Sequence, residues 1–226
     1  STQSITGVGF QPDFTWIKAR DNGSNNHALT DSVRGTGSGN GLSSNTTGAE
    51  GQYSAAYGYL SAFGTDGFTV QAGSTSPNFV NSSSANYVAW NWKAGGAAVS
   101  NTDGTVTSQV SANVDAGFSI VKWIGDGNAS ARVGHGISKP DMIITKSLTN
   151  INDWNVNHVG IPNEIIYLQS TNAAFSGGGT NGAFGYQSTN TSTTFGFTGG
   201  SSGVNNVNKL NSNYIAYCFH SVDGFS

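Results

Sequence analysis

Short apolar segments that alternate with polar residues run through the whole chain, and loops rich in Gly, Asn and Ser separate them. In such a segment every second side chain points to the same face, which is the period of a half-buried β-strand; no window shows the period of an amphipathic helix. The clearest segments are FTWIKA, GFTVQA, YVAWNWK, GFSIVKWIG, DMIITK, IIYLQS and YIAYCFH. The pattern predicts an all-β protein of antiparallel β-sandwich or jelly-roll units.

Three motifs occur twice, in the same order and at a nearly constant separation of 127 to 129 residues. Ordered matches at one separation indicate an internal repeat, which predicts two tandem sandwich units. We place them at residues 1–110 and 111–226, with the boundary near Val110 in a stretch of small and polar residues. The matched pairs are PDFTWIK (12–18) with PDMIITK (140–146), GFT (67–69) with GFT (196–198), and YVAWNW (87–92) with YIAYCF (214–219).

The two ends of the repeat suggest how units follow one another. The second unit opens with the strand-like segment GFSIVKWIG, and the chain stops at DGFS, which looks like the start of another such strand. Either the chain belongs to a longer array of repeats, or neighbouring copies complete one another by strand addition. We expect the first.

The segment YVAWNW raises the question whether Trp90 and Trp92 form an exposed platform for a sugar ring or belong to the core. Together with Val88 they occupy one face of the predicted strand, and the second copy keeps that face large and apolar. This predicts that both tryptophans are core residues. Trp154, outside the repeated strands, is then the better candidate for exposure.

Charge is scarce in this chain. Charged residues make up 9% of it, against roughly 25% in an average protein, and the formal net charge is −3. The nine Lys and Arg are scattered singly, so we expect neither nucleic acid nor an anionic membrane as a partner. No window approaches the ~18 apolar residues of a membrane helix, and a soluble chain is expected. Cys218 is the only cysteine, which excludes an internal disulfide and a cysteine-based zinc site.

Together these motifs resemble a repeat module of tailed-phage virion proteins, above all the large tail and fibre-like proteins of marine phages. The resemblance covers nearly the whole chain and implies a concanavalin-A-like (lectin/glucanase-type) sandwich. It also implies a multi-copy assembly on the virion surface or otherwise outside the cell. Other virion subunits, further copies of the chain and host-surface glycans are the expected partners. The segments that carry the resemblance are GFQPDFTWIKAR, HALTDSVRG, YVAWNWKAGG, GFSIVKWIGDGN, VGHGISKPDMIITK and YIAYCFHSVDGFS.

No catalytic constellation is visible in the sequence. Glycanases on this kind of sandwich use two carboxylates ~5 to 5.5 Å apart, whereas the only glutamates are Glu50 and Glu164 and no two carboxylates lie within four residues of each other. Cys218 lies in an aromatic strand, where a buried, inert thiol is expected. The four histidines are too dispersed for a zinc motif and are expected to be structural. We therefore predict that the chain is not an enzyme.

The densest polar cluster is HALTDSVRG, where His27, Asp31 and Arg34 lie close together. They are candidates for a glycan- or partner-binding patch. The alternative, which we favour, is an internal Asp–Arg pair that fixes a loop. The candidates at the corresponding place in the second unit, within WNVNHVG, are Trp154, Asn155 and His158.

Three Asp- and Asn-rich segments, at residues 21–26, 101–104 and 126–128, supply the hard oxygen ligands that calcium prefers. None matches the twelve-residue calcium-binding loop with its terminal glutamate. We therefore expect Asx-turns at these places rather than a calcium site. No other cofactor or metal is indicated.

The sequence thus favours a non-catalytic structural or adhesive sandwich module of a phage tail, fibre or capsid-surface protein. Such a module would act as a spacer, an intersubunit contact or a receptor-facing element. The alternative is a carbohydrate-binding module of a secreted or cell-surface bacterial protein. An enzyme domain has no positive support.

Overall fold

A computed structural model describes residues 1–51, 55–75, 79–83, 85–176, 189–197 and 206–224. Nearly all regular structure in these residues is β, and every ladder between strands is antiparallel. The chain divides into two compact units, Ser1–Gly96 and Ala97–Ser226. The prediction of an all-β, antiparallel sandwich fold is confirmed. Within the described ranges no helix has the length and apolar character needed to cross a membrane.

Unit 1 is a small sandwich of two three-stranded sheets. Its elements are β1 (Thr2–Thr6), β2 (Phe14–Ala19), β3 (Ala28–Asp31), a 3₁₀ helix (Ala55–Tyr57), β4 (Tyr59–Gly64), β5 (Gly67–Gln71) and β6 (Tyr87–Trp92). The sheet orders are β1-β5-β4 and β3-β2-β6. Ile17 and Ala28 of the second sheet pack with Leu60, Phe68 and Val70 of the first, so the core lies between the sheets.

Unit 2 is a larger sandwich. Its strands are β7 (Val99–Asn101), β8 (Ser108–Asn113), β9 (Phe118–Ile124), β10 (Arg132–Gly134), β11 (Met142–Ser147), β12 (Asn155–His158), β13 (Ile166–Tyr167), β14 (Thr194–Gly196) and β15 (Asn213–Phe219). Seven form one sheet, ordered β13-β12-β11-β15-β9-β8-β7, and β10 pairs with β14 in the other. Val121, Trp123 and Tyr214 of the large sheet pack with Val133 and Phe195 of the small one.

The structure divides the chain after Gly96, earlier than the boundary expected near Val110. The small and polar residues of this stretch suggested a linker. Instead they contain β7 and β8, which pair with each other, and β8 pairs with β9. Val110 therefore lies within a strand of unit 2, where it is buried in the core.

The aspartates of the repeated PD motif, residues 12–18 and 140–146, make the same contacts in both units. The order β3-β2-β6 recurs as β12-β11-β15, and the motif begins the central strand of each trio. The carboxylate accepts an N–H from the second residue after the partner strand: Asp13 from Ala94 at 2.8 Å, and Asp141 from Ser221 at 2.7 Å. The aspartate N–H donates to the last carbonyl of that strand, at 2.9 and 2.8 Å respectively. Each aspartate thus fixes where its strand pair ends.

Two further repeated side chains also make equivalent contacts. The lysine that ends the motif donates to the carbonyls one and four residues further on, at 2.8 and 3.0 Å for Lys18 and at 2.9 and 3.4 Å for Lys146. The tyrosine that opens β6 or β15 accepts the backbone N–H five residues before it, at 2.9 Å for both Tyr87 and Tyr214. The motifs therefore mark a common framework of backbone contacts.

The GFT match takes a different alignment in the structure. In the strand ladders Phe68 pairs with Ile5, and Phe195 pairs with Val133. Ile5 lies seven residues before the proline of its PD motif, and so does Val133. Phe68 thus corresponds to Phe195, not to Phe197 as the match predicts. A shift by two residues keeps every side chain on its face, so alternation alone cannot distinguish the alignments. The last residue of the match lies outside the described residues.

The opening tyrosines give a matched stability prediction. Tyr214 is fully buried and its hydroxyl also bonds the side chains of Ser147 and Ser212, whereas Tyr87 is only half-buried. We expect Tyr214→Phe to lower the free energy of unfolding by about 1 to 3 kcal/mol, and Tyr87→Phe by less than about 1 kcal/mol because water replaces its hydroxyl. Urea denaturation of the two variants measures this. If Tyr87→Phe lost more stability than Tyr214→Phe, burial would not be what makes the same hydroxyl contact matter more in unit 2.

Lys146 gives a pH prediction. Burial lowers the pKa of this fully buried lysine to about 8, against ~10.4 in an unfolded chain. Between these values the unfolded state binds more protons, so stability rises with pH. We expect urea denaturation to show a rise on the order of 2 kcal/mol from about pH 8 to pH 10. Lys146→Met should lack this rise and Lys18→Met should keep it; identical pH profiles for native protein and Lys146→Met would refute the assignment.

Candidate functional site

Asp31, the last residue of β3, and Arg34 form a buried ion pair. Arg34 Nε lies 2.5 Å from Asp31 Oδ2, and the two side chains are 1% and 0% exposed. The other carboxylate oxygen, Oδ1, accepts the backbone N–H groups of Val33 at 3.1 Å and Arg34 at 2.9 Å. Both charges are therefore satisfied inside unit 1, and the charge-assisted bonds hold the turn after β3.

The guanidinium of Arg34 reaches three further acceptors. Nη1 lies 3.0 Å from Glu50 Oε1 and donates to the Asn40 carbonyl, and Nη2 donates to the Leu29 carbonyl at 3.2 Å. A planar group with five N–H donors suits such a junction. Arg34 ties β3 to the loop that follows it, as the internal alternative predicts. Glu50, the missed member of this junction, lies too far along the chain for spacing to indicate it.

His27, the third residue of the predicted cluster, lies in a different environment. Its Nδ1 accepts a hydrogen bond from the indole N–H of Trp16 at 2.7 Å, and its backbone N–H donates to Asn45 Oδ1 at 3.0 Å. Burial, and then the charge of Lys18, lower the pKa of His27. The ring is therefore neutral at pH 7, and because Nδ1 accepts, the proton resides on Nε2.

An aromatic surface in unit 1, which we call the Trp90 patch, consists of Trp16, His27 and Trp90. The Trp90 ring lies 6.3 Å from that of Trp16 at an interplanar angle of 75°, and 46% of Trp90 is exposed. Asn45, which holds the His27 backbone, also donates to the Asn26 side chain at 2.9 Å. A sugar ring can stack on an exposed indole, and the Asn26 and Asn45 amides at His27 can hydrogen-bond to a sugar.

The prediction that Trp90 is a core residue is wrong, and Trp92 is only half-buried, stacked on Phe14 with ring centroids 5.0 Å apart. The opposite face of β6, with Tyr87 and Ala89, packs against the core between the two sheets. The side chains of β6 alternate between two faces as predicted, but the core lies on the face with the smaller side chains.

The described residues of unit 2 do not repeat the Trp90 patch. Trp154 and Asn155 are both 0% exposed, and the backbone N–H of Trp154 donates to Gln169 Oε1 at 2.9 Å. His158 is exposed, yet its Nδ1 accepts the N–H of Gly160 at 2.9 Å. The prediction that Trp154 is exposed is wrong: its side chain is fully buried, and its carbonyl accepts the Leu168 N–H at 3.0 Å. Trp154 and Asn155 therefore offer no surface to a glycan or partner.

The cysteine and the remaining histidines lie in structural environments. Cys218 is fully buried, and burial raises the pKa of its thiol to about 12, as an inert thiol requires. Burial likewise lowers the pKa of His135 to about 4, and its Nδ1 accepts the Ile137 N–H at 3.3 Å. His220 Nδ1 lies 3.4 Å from Asp141. Within the described part of the chain, no three His, Cys, Asp or Glu side chains group as metal ligands do.

The polar segments weighed as calcium sites form Asx-turns. In each, a side-chain Oδ1 accepts the backbone N–H two residues further on, at 2.9 Å for Asn22, 3.0 Å for Asn101 and 2.9 Å for Asp126. The prediction of Asx-turns is confirmed at all three places.

The Arg34 junction gives a stability prediction with a matched control. Arg34→Ala leaves the Asp31 carboxylate buried without its cation, and we expect a loss of about 3 to 5 kcal/mol in the free energy of unfolding. Glu50→Gln, at a carboxylate whose side chain is 25% exposed, should cost less than about 1 kcal/mol. Urea denaturation compares the two. An Arg34→Ala protein with an unchanged midpoint would show that the pair does not hold the loop.

Comparison with known families gives a match along the whole chain. The matching family is described as a domain of unknown function, DUF7483, and its model covers residues 1–226. No curated protein and no solved structure matches the chain. Because the family match extends over every residue, the chain belongs to the DUF7483 family.

Proposed function

We propose that the chain is a non-catalytic β-sandwich module of a phage virion protein, in a tail, a fibre or the capsid surface. There it acts as a spacer, an intersubunit contact or a receptor-facing element. Its partners are other virion subunits and further copies of the module, with host-surface glycans at a receptor-facing position. The concanavalin-A-like type of sandwich and the origin of the two units by tandem duplication are part of the same proposal.

The observation that carries the proposal is the use of charged side chains to hold the chain's own backbone. Asp13 and Asp141 hold N–H groups, Lys18 and Lys146 hold carbonyls, and Arg34 holds two carboxylates and two carbonyls. In a chain with 9% charged residues, these are a large share of the available charges. Charges fixed in this way give a stiff module, which suits a role based on shape.

Two further features support the proposal. The framework contacts shared by the PD motif, its lysine and the opening tyrosine suit descent of both units from one ancestor. The low charge means that contacts between such modules depend little on salt, which suits an external assembly exposed to changing ionic strength. The resemblance of the repeated motifs to tail and fibre-like proteins supports the virion context.

The Trp90 patch favours a second candidate, a carbohydrate-binding module of a secreted or cell-surface bacterial protein. Trp90 is 46% exposed, and the linked Asn26 and Asn45 side chains carry amides at the backbone of His27, the third member of the patch. Large exposed aromatic side chains usually mark a binding surface when they form a group.

Purified particles test the virion assignment. We expect mass spectrometry to find peptides of this chain in phage particles purified from lysates of the host, and antibodies against it to label a tail, fibre or capsid surface. Recovery of the protein from the culture medium and its absence from particles would contradict the assignment.

A glycan array tests the second candidate. A carbohydrate-binding module should keep its binding at about 1 M salt, where charge interactions are screened. Binding should be lost in Trp90→Ala and kept in Ile151→Ala, a matched control at an apolar residue that is 77% exposed in unit 2. Absence of glycan binding by the native protein would contradict this candidate.

A further inference from the structure

Unit 1 contains a cavity of about 440 Å³ alongside β6. It is partly open to solvent, and its volume lies within the range of clefts that take a ligand or a partner side chain. Residues from both sheets of the unit line it. Its lining is mixed: polar residues such as Asn81 and Asn91 share it with apolar ones, among them Ile5, Phe68, Val70, Val80, Tyr87 and Ala89.

The corresponding space in unit 2 is filled by β9. Trp123 stacks on Tyr214 with ring centroids 5.3 Å apart and meets Phe195 edge to face at 5.5 Å. The framework contacts make Tyr214 the counterpart of Tyr87, and the strand ladders make Phe195 the counterpart of Phe68. Trp123 therefore occupies, in unit 2, the volume that is open in unit 1.

The rest of the lining corresponds as well. Val121, the next inward residue of β9, pairs with Ala216, which occupies the position of Ala89. The other counterparts are apolar core residues that pack in the same cluster as Trp123. They are Val133 for Ile5, Phe197 for Val70 and Val207 for Val80.

β6 presents an edge next to the cavity. Among the described residues it is one of the two edge strands of the sheet β3-β2-β6, whereas its counterpart β15 lies between β11 and β9. Edge strands usually carry a charge, a proline or a bulge that prevents pairing with another chain. The sequence YVAWNW has no charge and no proline, and its ladder with β2 is regular. By contrast β4, an edge of the other sheet, has a register shift between Leu60 and Ala62.

We infer that unit 1 is a strand acceptor, whose cavity and β6 edge take a β-strand of the β9 type from an adjoining module. The donor strand runs antiparallel to β6, as β9 runs to β15. The β9–β15 register places its tryptophan opposite Tyr87, its valine opposite Ala89 and its serine opposite Asn91. Main-chain hydrogen bonds supply affinity in such strand addition, and the side chain in the pocket supplies specificity. The inference holds in any assembly of these modules, whether or not it is a virion.

A peptide with the sequence of residues 115–125 is the probe. We expect the labelled peptide to bind the native protein in a fluorescence anisotropy titration. A control peptide with Val121→Asp and Trp123→Asp keeps the backbone but sets two charges against Phe68, Tyr87 and Ala89, and it should bind at least about tenfold more weakly.

Protein variants and hydrogen exchange show where on the protein the peptide binds. Ala89→Phe fills the cavity and should abolish binding, whereas Val88→Phe adds the same ring to the other face of β6 and should leave binding intact. Hydrogen exchange on the native protein, which requires no variant, should show new protection at β6 when the peptide is added.

Four results of the peptide experiments would overturn the inference. They are no binding of the native peptide, equal binding of the two peptides, undiminished binding to a folded Ala89→Phe protein, and protection that appears at β15 instead of β6. Dimerisation of the protein through paired β6 strands, found by sedimentation without peptide, would also overturn it, because a second copy would then be the occupant.

Discussion

The aspartate of the PD motif is the contact on which both units depend. In a β-sheet, a slip of one residue turns every side chain to the opposite face. Asp13 closes the pair β2–β6, and Asp141 closes β11–β15, each with one carboxylate bond and one backbone bond. The lysine at the other end of the motif and the tyrosine across the pair hold the loops that enter and leave it. The same fixed pair is flanked by β3 in unit 1 and by β12 in unit 2.

The strands themselves could be predicted, because alternation is local and the PD motif is long enough to recognise twice. The face of β6 that meets the core could not be predicted, because it depends on where the other sheet lies. Tyr87 and Ala89 pack against the core, and Trp90 lies on the opposite, exposed face. The boundary was misplaced for a related reason. Small, polar residues around Val110 resemble a linker, yet the neighbouring β9 pairs with them and makes them a strand.

The candidate site was predictable only where its contacts are local. Asp31 and Arg34 are three residues apart, so their ion pair could be expected from spacing. Trp16, by contrast, reaches His27 and Trp90 through the β2–β3 and β2–β6 ladders, whose registers are not visible in one sequence. Trp154 illustrates the same limit in unit 2, because it is fully buried and its backbone partners, Leu168 and Gln169, lie in a distant segment of the chain.

The two units differ chiefly in what lies beside the shared trio of strands. In unit 2, the Gly125 N–H donates to the Ser212 carbonyl. Every second residue of β15 from Ser212 onwards therefore directs its backbone N–H and C=O toward β9, including Ala216 and Cys218. In unit 1, the Arg20 N–H donates to the Asn86 carbonyl, so every second residue of β6 from Asn86 directs its backbone groups toward β2. The backbone amides of the residues between them, Ala89 and Asn91, point away from β2, toward the edge of the sheet. An equivalent framework thus carries a paired strand in one unit and an accepting edge in the other.

Native-state hydrogen exchange on the chain alone tests this account most directly, because it reads the protection of single backbone amides. The account predicts that the amides of Ala216 and Cys218 exchange only on large-scale unfolding, and that those of Ala89 and Asn91 exchange at least about a hundredfold faster. Equal protection of the two pairs would contradict it, since β6 would then already have a neighbour on its outer side.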